Sequence, residues 1–152
     1  MTAQSAIAQS QLYDRDLARW YAETLAQLKA GDLENLDVGH LIEEIEGLAA
    51  RDRREIKTRL KVLLAHLLKR IYVPLPDNYR GWENTIDEQR EQLQDLLEQS
   101  PSLESFLEDS FAESWQRALK QVRNDYPEVS LPDLWPGDRT VESILTKALW
   151  QR

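Results

Sequence analysis

Seven polar residues break into otherwise apolar helical stripes, and their types limit the chemistry available to them. His40, Glu43, Glu44 and Glu46 fall within two turns. His66 lies among Leu63, Leu64, Leu67 and Leu68. Gln89 and Arg90 stand where a third apolar stripe should continue. Residues three or four apart share a helix face, so His40 joins Glu43 or Glu44, and Glu43 joins Glu46. Carboxylates and imidazoles on facing helices are the ligands of di-iron and di-manganese bundle centres, which makes His40, Glu43, Glu44 and His66 candidate metal ligands. Those centres use Glu-x-x-His on two helices, however. Here the order is His40-x-x-Glu43, nothing repeats it, and Leu63 stands three before His66.

Two other chemistries use the same side chains. A histidine on an apolar face beside a carboxylate has a tunable pKa, so His66 with Glu43 or Glu46 is a candidate acid–base pair. No nucleophile elbow, phosphate loop or dinucleotide fingerprint accompanies it. The third reading is a buried polar network. Arg90 satisfies Glu43 or Glu46, while His66 and Gln89 complete the hydrogen bonds. Such networks set helix register more than they add stability, because desolvation offsets the attraction. The network is the favoured reading, and no cofactor is expected.

These residues need helices to position them. Tyr13, Leu17, Trp20, Tyr21, Thr24 and Leu28 form one stripe, predicting a helix over 14–30 with Asp14 as N-cap and Ala30-Gly31 as stop. A proline-free run over 38–73 follows, with stripes Leu41, Ile45, Leu48 and then Ile56, Leu60, Leu63, Leu64, Leu67, Ile71. The stripe lapses for a turn between them, just after Gly47. One helix with an exposed middle turn and two helices both fit; a bend or break near 48–52 is favoured. Two prolines in 73–78 end the run. The next helix, over 79–99, buries Trp82, Ile86, Leu93, Leu96 and Leu97. Ser100-Pro101 reads as the cap and first residue of a helix reaching 124. Thr140 caps a short last helix. The pattern predicts an all-α fold: an antiparallel bundle of four main helices plus a short C-terminal one. Residues 1–11 are expected as a flexible arm and 12–152 as a single domain.

Charge and aromatics suggest surfaces. The net charge of −8 argues against nucleic acid as an overall partner. Residues 51–70 nevertheless carry eight basic residues against two acids, leaving the remainder at −14. Arg51, Arg53, Arg54, Lys57 and Lys61 are therefore a candidate surface for an anionic partner, or more simply a solvated face. No aromatic residue is interleaved with them, which weakens a nucleic-acid role. Tyr79 and Trp135 lie near loops. They are candidate exposed anchors, with pinning of irregular segments to the bundle preferred.

Composition narrows the class further. Cysteine is absent, excluding disulfides and thiolate chemistry. No apolar run approaches the roughly 20 residues of a membrane span, and the N-terminus lacks a leader pattern. A cytoplasmic protein with no membrane association is expected.

Three blocks together carry a family resemblance: YDRDLARWYAETLAQLKAGDLENLD, HLIEEIEGLAARDRREIKTRLKVLLAHLLKR and WENTIDEQREQLQDLLEQSPSL. Over about residues 12–150 their order and spacing resemble the bacterial domain of unknown function 29 family, abundant in cyanobacteria. The resemblance implies a helical bundle in a small bacterial cytoplasmic protein, and no activity, substrate or cofactor. Within its pattern Glu43, Glu44, Glu46, His66, Lys69, Trp82, Thr85, Ile86, Gln89 and Arg90 stand out. Gly81, where a serine is usual, and Ile71 depart from it. The resulting expectation is a non-enzymatic interaction or adaptor module whose partner is another protein, with self-association open. A metal-dependent or acid–base enzyme is the alternative, and a nucleic-acid role through 51–61 a weaker one.

Overall fold

The computed structural model describes residues 3–150. It is an all-α helical bundle: 77% is helical, and no strand occurs among the described residues. Six helices run in the order α1 (Ala3–Arg15), α2 (Leu17–Ala30), α3 (Val38–Tyr72), α4 (Pro76–Gln99), α5 (Leu103–Asp125) and α6 (Val141–Thr146). None is long and apolar enough to cross a membrane. The chain forms two compact units, residues 1–50 and 51–152. Chain continuity passes through α3, which contributes its first part to one unit and the rest to the other.

The first unit contains α1, α2 and the start of α3. Residues 3–11, expected as an arm, are helical. Their segment lacks the apolar stripe that would have announced a helix, because α1 docks through polar groups: Gln9 Nε2 donates to Thr24 Oγ1 at 3.1 Å, with both residues buried. α2 begins three residues later than predicted. Asp16, not Asp14, is its N-cap, and its Oδ1 accepts the Arg19 backbone N–H at 3.1 Å. The predicted stop holds. Gly31 adopts φ 72°, its N–H reaches Leu28 O, and the Asp32 N–H reaches Gln27 O, a Schellman closure that favours a residue without Cβ.

α3 is continuous over 35 residues, so the expected break at 48–52 does not occur. Between Leu48 and Glu55 the chain offers Ala, Arg and Asp and no proline, which leaves the backbone ladder unopposed. The lapsed stripe marks a solvated stretch instead: Ala49, Ala50, Arg51, Arg53 and Arg54 are all exposed.

The second unit holds the main core. Ile56, Leu60, Leu63, Leu64, Leu67 and Leu68 of α3 pack with Trp82, Ile86 and Leu93 of α4 and Leu107, Phe111, Trp115 and Leu119 of α5. α4 starts at Pro76, which occupies the first turn, three residues before the predicted start. Ser100 closes α4 rather than capping α5; its N–H bonds Leu96 O. Thr140 does cap α6, its Oγ1 accepting the Ser143 N–H at 3.2 Å.

Candidate functional site

In the first unit a polar–aromatic cluster draws on all three helical segments. Glu44 of α3 accepts hydroxyl bonds from Tyr13 of α1 and Tyr21 of α2, each at 2.6 Å. Asp37 sits one residue before α3. One of its oxygens accepts the His40 backbone N–H at 3.4 Å, as an N-terminal cap does. The other meets His40 Nδ1 at 2.6 Å and accepts the indole N–H of Trp20 at 3.1 Å. The His40 ring stacks on Tyr13 with centroids 3.9 Å apart and planes 13° apart, and Ser10 Oγ approaches Nδ1 at 3.4 Å. Accepting the Tyr13 proton's bond stabilises the neutral phenol, and the Glu44 charge opposes its ionisation. Tyr13 is accordingly pushed up to about 12. Asp37 raises His40. The arrangement is a clamp: Tyr13, Trp20, Tyr21, Asp37, His40 and Glu44 bond one another across the three segments.

The sequence-predicted site residues separate. Glu43 and Glu46 are exposed in the first unit, while Glu44 and His40 are half-buried in the clamp. Arg90, expected to meet Glu43 or Glu46, bonds within its own unit. Arg90 is buried in the second unit, where Nε donates to Ile144 O at 2.9 Å and Nη2 to Lys147 O at 2.6 Å. Gln89 instead accepts from Arg59 Nη1 at 3.1 Å. His66 turns Nδ1 onto Val62 O of its own helix at 2.8 Å. Arg90, Gln89 and His66 thus spend their hydrogen bonds on three separate local partners. Among the described residues no group of three or more histidine and carboxylate side chains is placed to hold a metal ion.

The two histidines yield a prediction of opposite signs. His40 titrates above the ordinary value near 6.5 because of its bond to Asp37. His66 titrates below it because burial penalises the imidazolium and Lys69 adds repulsion. The stability His40 lends the first unit is fully present below its unfolded pKa and is lost as pH rises through its folded one. For His66 the second unit has full stability above the unfolded pKa and loses it as pH falls toward the folded one. Ring-proton NMR titration should therefore place one histidine on each side of the free value. Asp37→Asn should return His40 toward it and leave His66 unmoved.

The candidate surface residues divide as well. Arg51, Arg53, Arg54 and Lys57 are exposed and Lys61 is half-buried. Arg51 and Arg54 line a groove of about 660 Å³ with Glu55, Thr58, Arg59, Val62 and Gln89. Much of this charge is answered locally. Arg59 bonds Glu55 at 2.8 Å, Lys57 faces Glu113 at 3.5 Å, and Arg53 and Lys57 lie over the Phe106 ring. Trp135 is not an exposed anchor. It is 6% exposed and packs edge-on against Phe111 and Trp115. Tyr79 is half-buried under the Arg70 guanidinium, 3.9 Å from the ring centroid. Trp135 lies in the irregular stretch between α5 and α6, whereas Tyr79 belongs to the start of α4 and not to an irregular segment.

What sequence reasoning missed is an apolar face. In α2, Leu17, Tyr21, Leu25 and Leu28 are 41–51% exposed; in α3, Val38, Ile42, Ile45 and Leu48 are 51–59% exposed. Several of these were expected to be core. Among the described residues of the first unit only Gln9, Trp20 and Thr24 are buried. Tyr21 belongs to the α2 stripe and bonds Glu44, so that stripe abuts α3. The missed signal was size: about 50 residues with this many large apolar side chains cannot bury them all.

A family model described as "Domain of unknown function DUF29" matches residues 12–150. No curated protein and no solved structure matches the chain.

Proposed function

The chain belongs to the DUF29 family, and from that premise we propose that it is a non-enzymatic protein-interaction module of the bacterial cytoplasm, docking its partner on the first unit. The observation that carries this reading is the apolar face of α2 and α3. Eight large apolar side chains, each about half exposed, lie on two neighbouring helical segments. Together they offer on the order of 800 Å², about one partner's share of a standard interface. Contiguous apolar patches of this extent mark interaction sites in soluble proteins. The clamp supports the same reading, because it holds α1, α2 and α3 together through Tyr13, Tyr21, Asp37, His40 and Glu44 while Ile42 and Ile45 stay exposed.

A photo-crosslinking residue placed at position 45 in the native host tests the reading. Discrete adducts are expected from position 45 and not from exposed Glu104 on α5. The absence of any discrete adduct at 45, with the protein folded and expressed, would overturn it.

A further inference from the structure

We infer that the partner's docking element is a basic amphipathic helix. The inference rests on the interaction reading above and adds the chemistry of the occupant. Residues 1–50 hold nine acidic and three basic residues, a net −6. One of the three, Arg19, is already paired with Glu23. The acids stand beside the apolar face. Glu46 follows Ile42 by one turn and so neighbours it on the helix surface, and both Glu43 and Glu46 are exposed. The stripe from Val38 to Leu48 is about 16 Å long, and the α2 stripe from Leu17 to Leu28 is of the same length. A helix of three to four turns covers such a span with apolar residues at i, i+3, i+4 and i+7. Lysine or arginine on its flanks would meet Glu43 and Glu46.

The same charge disfavours the other occupants. A second copy docking face to face by a two-fold axis would set −6 against −6, with Glu43 and Glu46 opposed to their own images. An anionic bilayer surface repels an acidic face for the same reason.

The probe is a synthetic 18-residue peptide with leucine at the helical a and d positions and lysine on the flanks, titrated into the full chain by fluorescence anisotropy. Its controls are a sequence-scrambled peptide and the Ile42→Ser/Ile45→Ser and Glu43→Gln/Glu46→Gln chains. All four substituted side chains are exposed, so the variants should fold, which circular dichroism checks. Binding is expected to weaken at least tenfold in Ile42→Ser/Ile45→Ser, where charge is unchanged. In Glu43→Gln/Glu46→Gln it should weaken several-fold, with a shallower salt dependence. Equal binding of the scrambled peptide, or insensitivity to the isoleucine pair, would overturn the inference. So would self-association by analytical ultracentrifugation that the isoleucine substitutions abolish, or vesicle binding that they abolish. Adducts at position 45 together with a failed peptide would sink this inference alone and leave the interaction reading standing.

Discussion

Trp20→Ala is expected to unfold the first unit while the second stays folded. Trp20 is 1% exposed and is the unit's one buried large apolar side chain among the described residues. Its ring meets Tyr13 and Tyr21 edge-on, at 5.1 and 5.6 Å between centroids, and its N–H bonds Asp37. Truncating a buried tryptophan costs about 3–5 kcal/mol. A unit of this size with so small a core has little more than that to lose. Hydrogen exchange followed by mass spectrometry should show residues 7–48 losing protection while the α4 and α5 amides keep theirs. Trp20→Phe separates the two contributions. It keeps most of the apolar bulk but removes the donor to Asp37, and should cost about 1 kcal/mol. Loss of protection across both units in Trp20→Ala would show that they fold as one.

The second large effect is expected at Arg90. Its guanidinium reaches two carbonyls, Ile144 O and Lys147 O, and Gln94 Nε2 reaches Leu145 O at 3.3 Å. The last carbonyls of a helix lack intrahelical partners, and α6 is only six residues long. Arg90 supplies those partners from another helix and places a positive charge where the helix dipole favours one. Arg90→Ala leaves both acceptors unsatisfied and should cost about 3 kcal/mol in urea denaturation. Arg90→Lys keeps the charge but loses the planar fork that serves two acceptors, and should recover part of the loss only. Arg90→Met keeps the apolar stem and isolates the hydrogen bonds. Exchange at residues 141–150 should rise in all three. Unchanged stability in Arg90→Met would show that water satisfies these carbonyls equally well.

Glu43 and Arg90 illustrate how far patterning reaches. Both stand out in the sequence as polar residues among apolar stripes. Glu43 simply lies on a solvated face, whereas Arg90 breaks its stripe because the carbonyls of Ile144 and Lys147 take a buried donor. A stripe records direction about a helix axis and says nothing of what stands opposite. The same limit explains the expected core of α2 and early α3. Leu17, Leu28, Ile45 and Leu48 have the spacing of buried residues and are exposed. α1 escaped notice for the converse reason, since it docks through Gln9 and Tyr13 rather than through a stripe.

Some features needed no tertiary information. Helical class, the Gly31 stop, the Thr140 cap and the turn at the two prolines follow from backbone preferences that act within a few residues. The family resemblance is likewise a property of linear order, and the match over residues 12–150 agrees with it. The Asp37–His40 pairing was also within local reach, because three residues separate an N-cap carboxylate from the side chain it meets. Only the tertiary structure decided which apolar stripes are covered, that α3 runs unbroken, and where Arg90, Gln89 and His66 spend their hydrogen bonds. Those outcomes depend on which surfaces meet across long sequence separations, and a helical period is the same whether its face ends against another helix or against water.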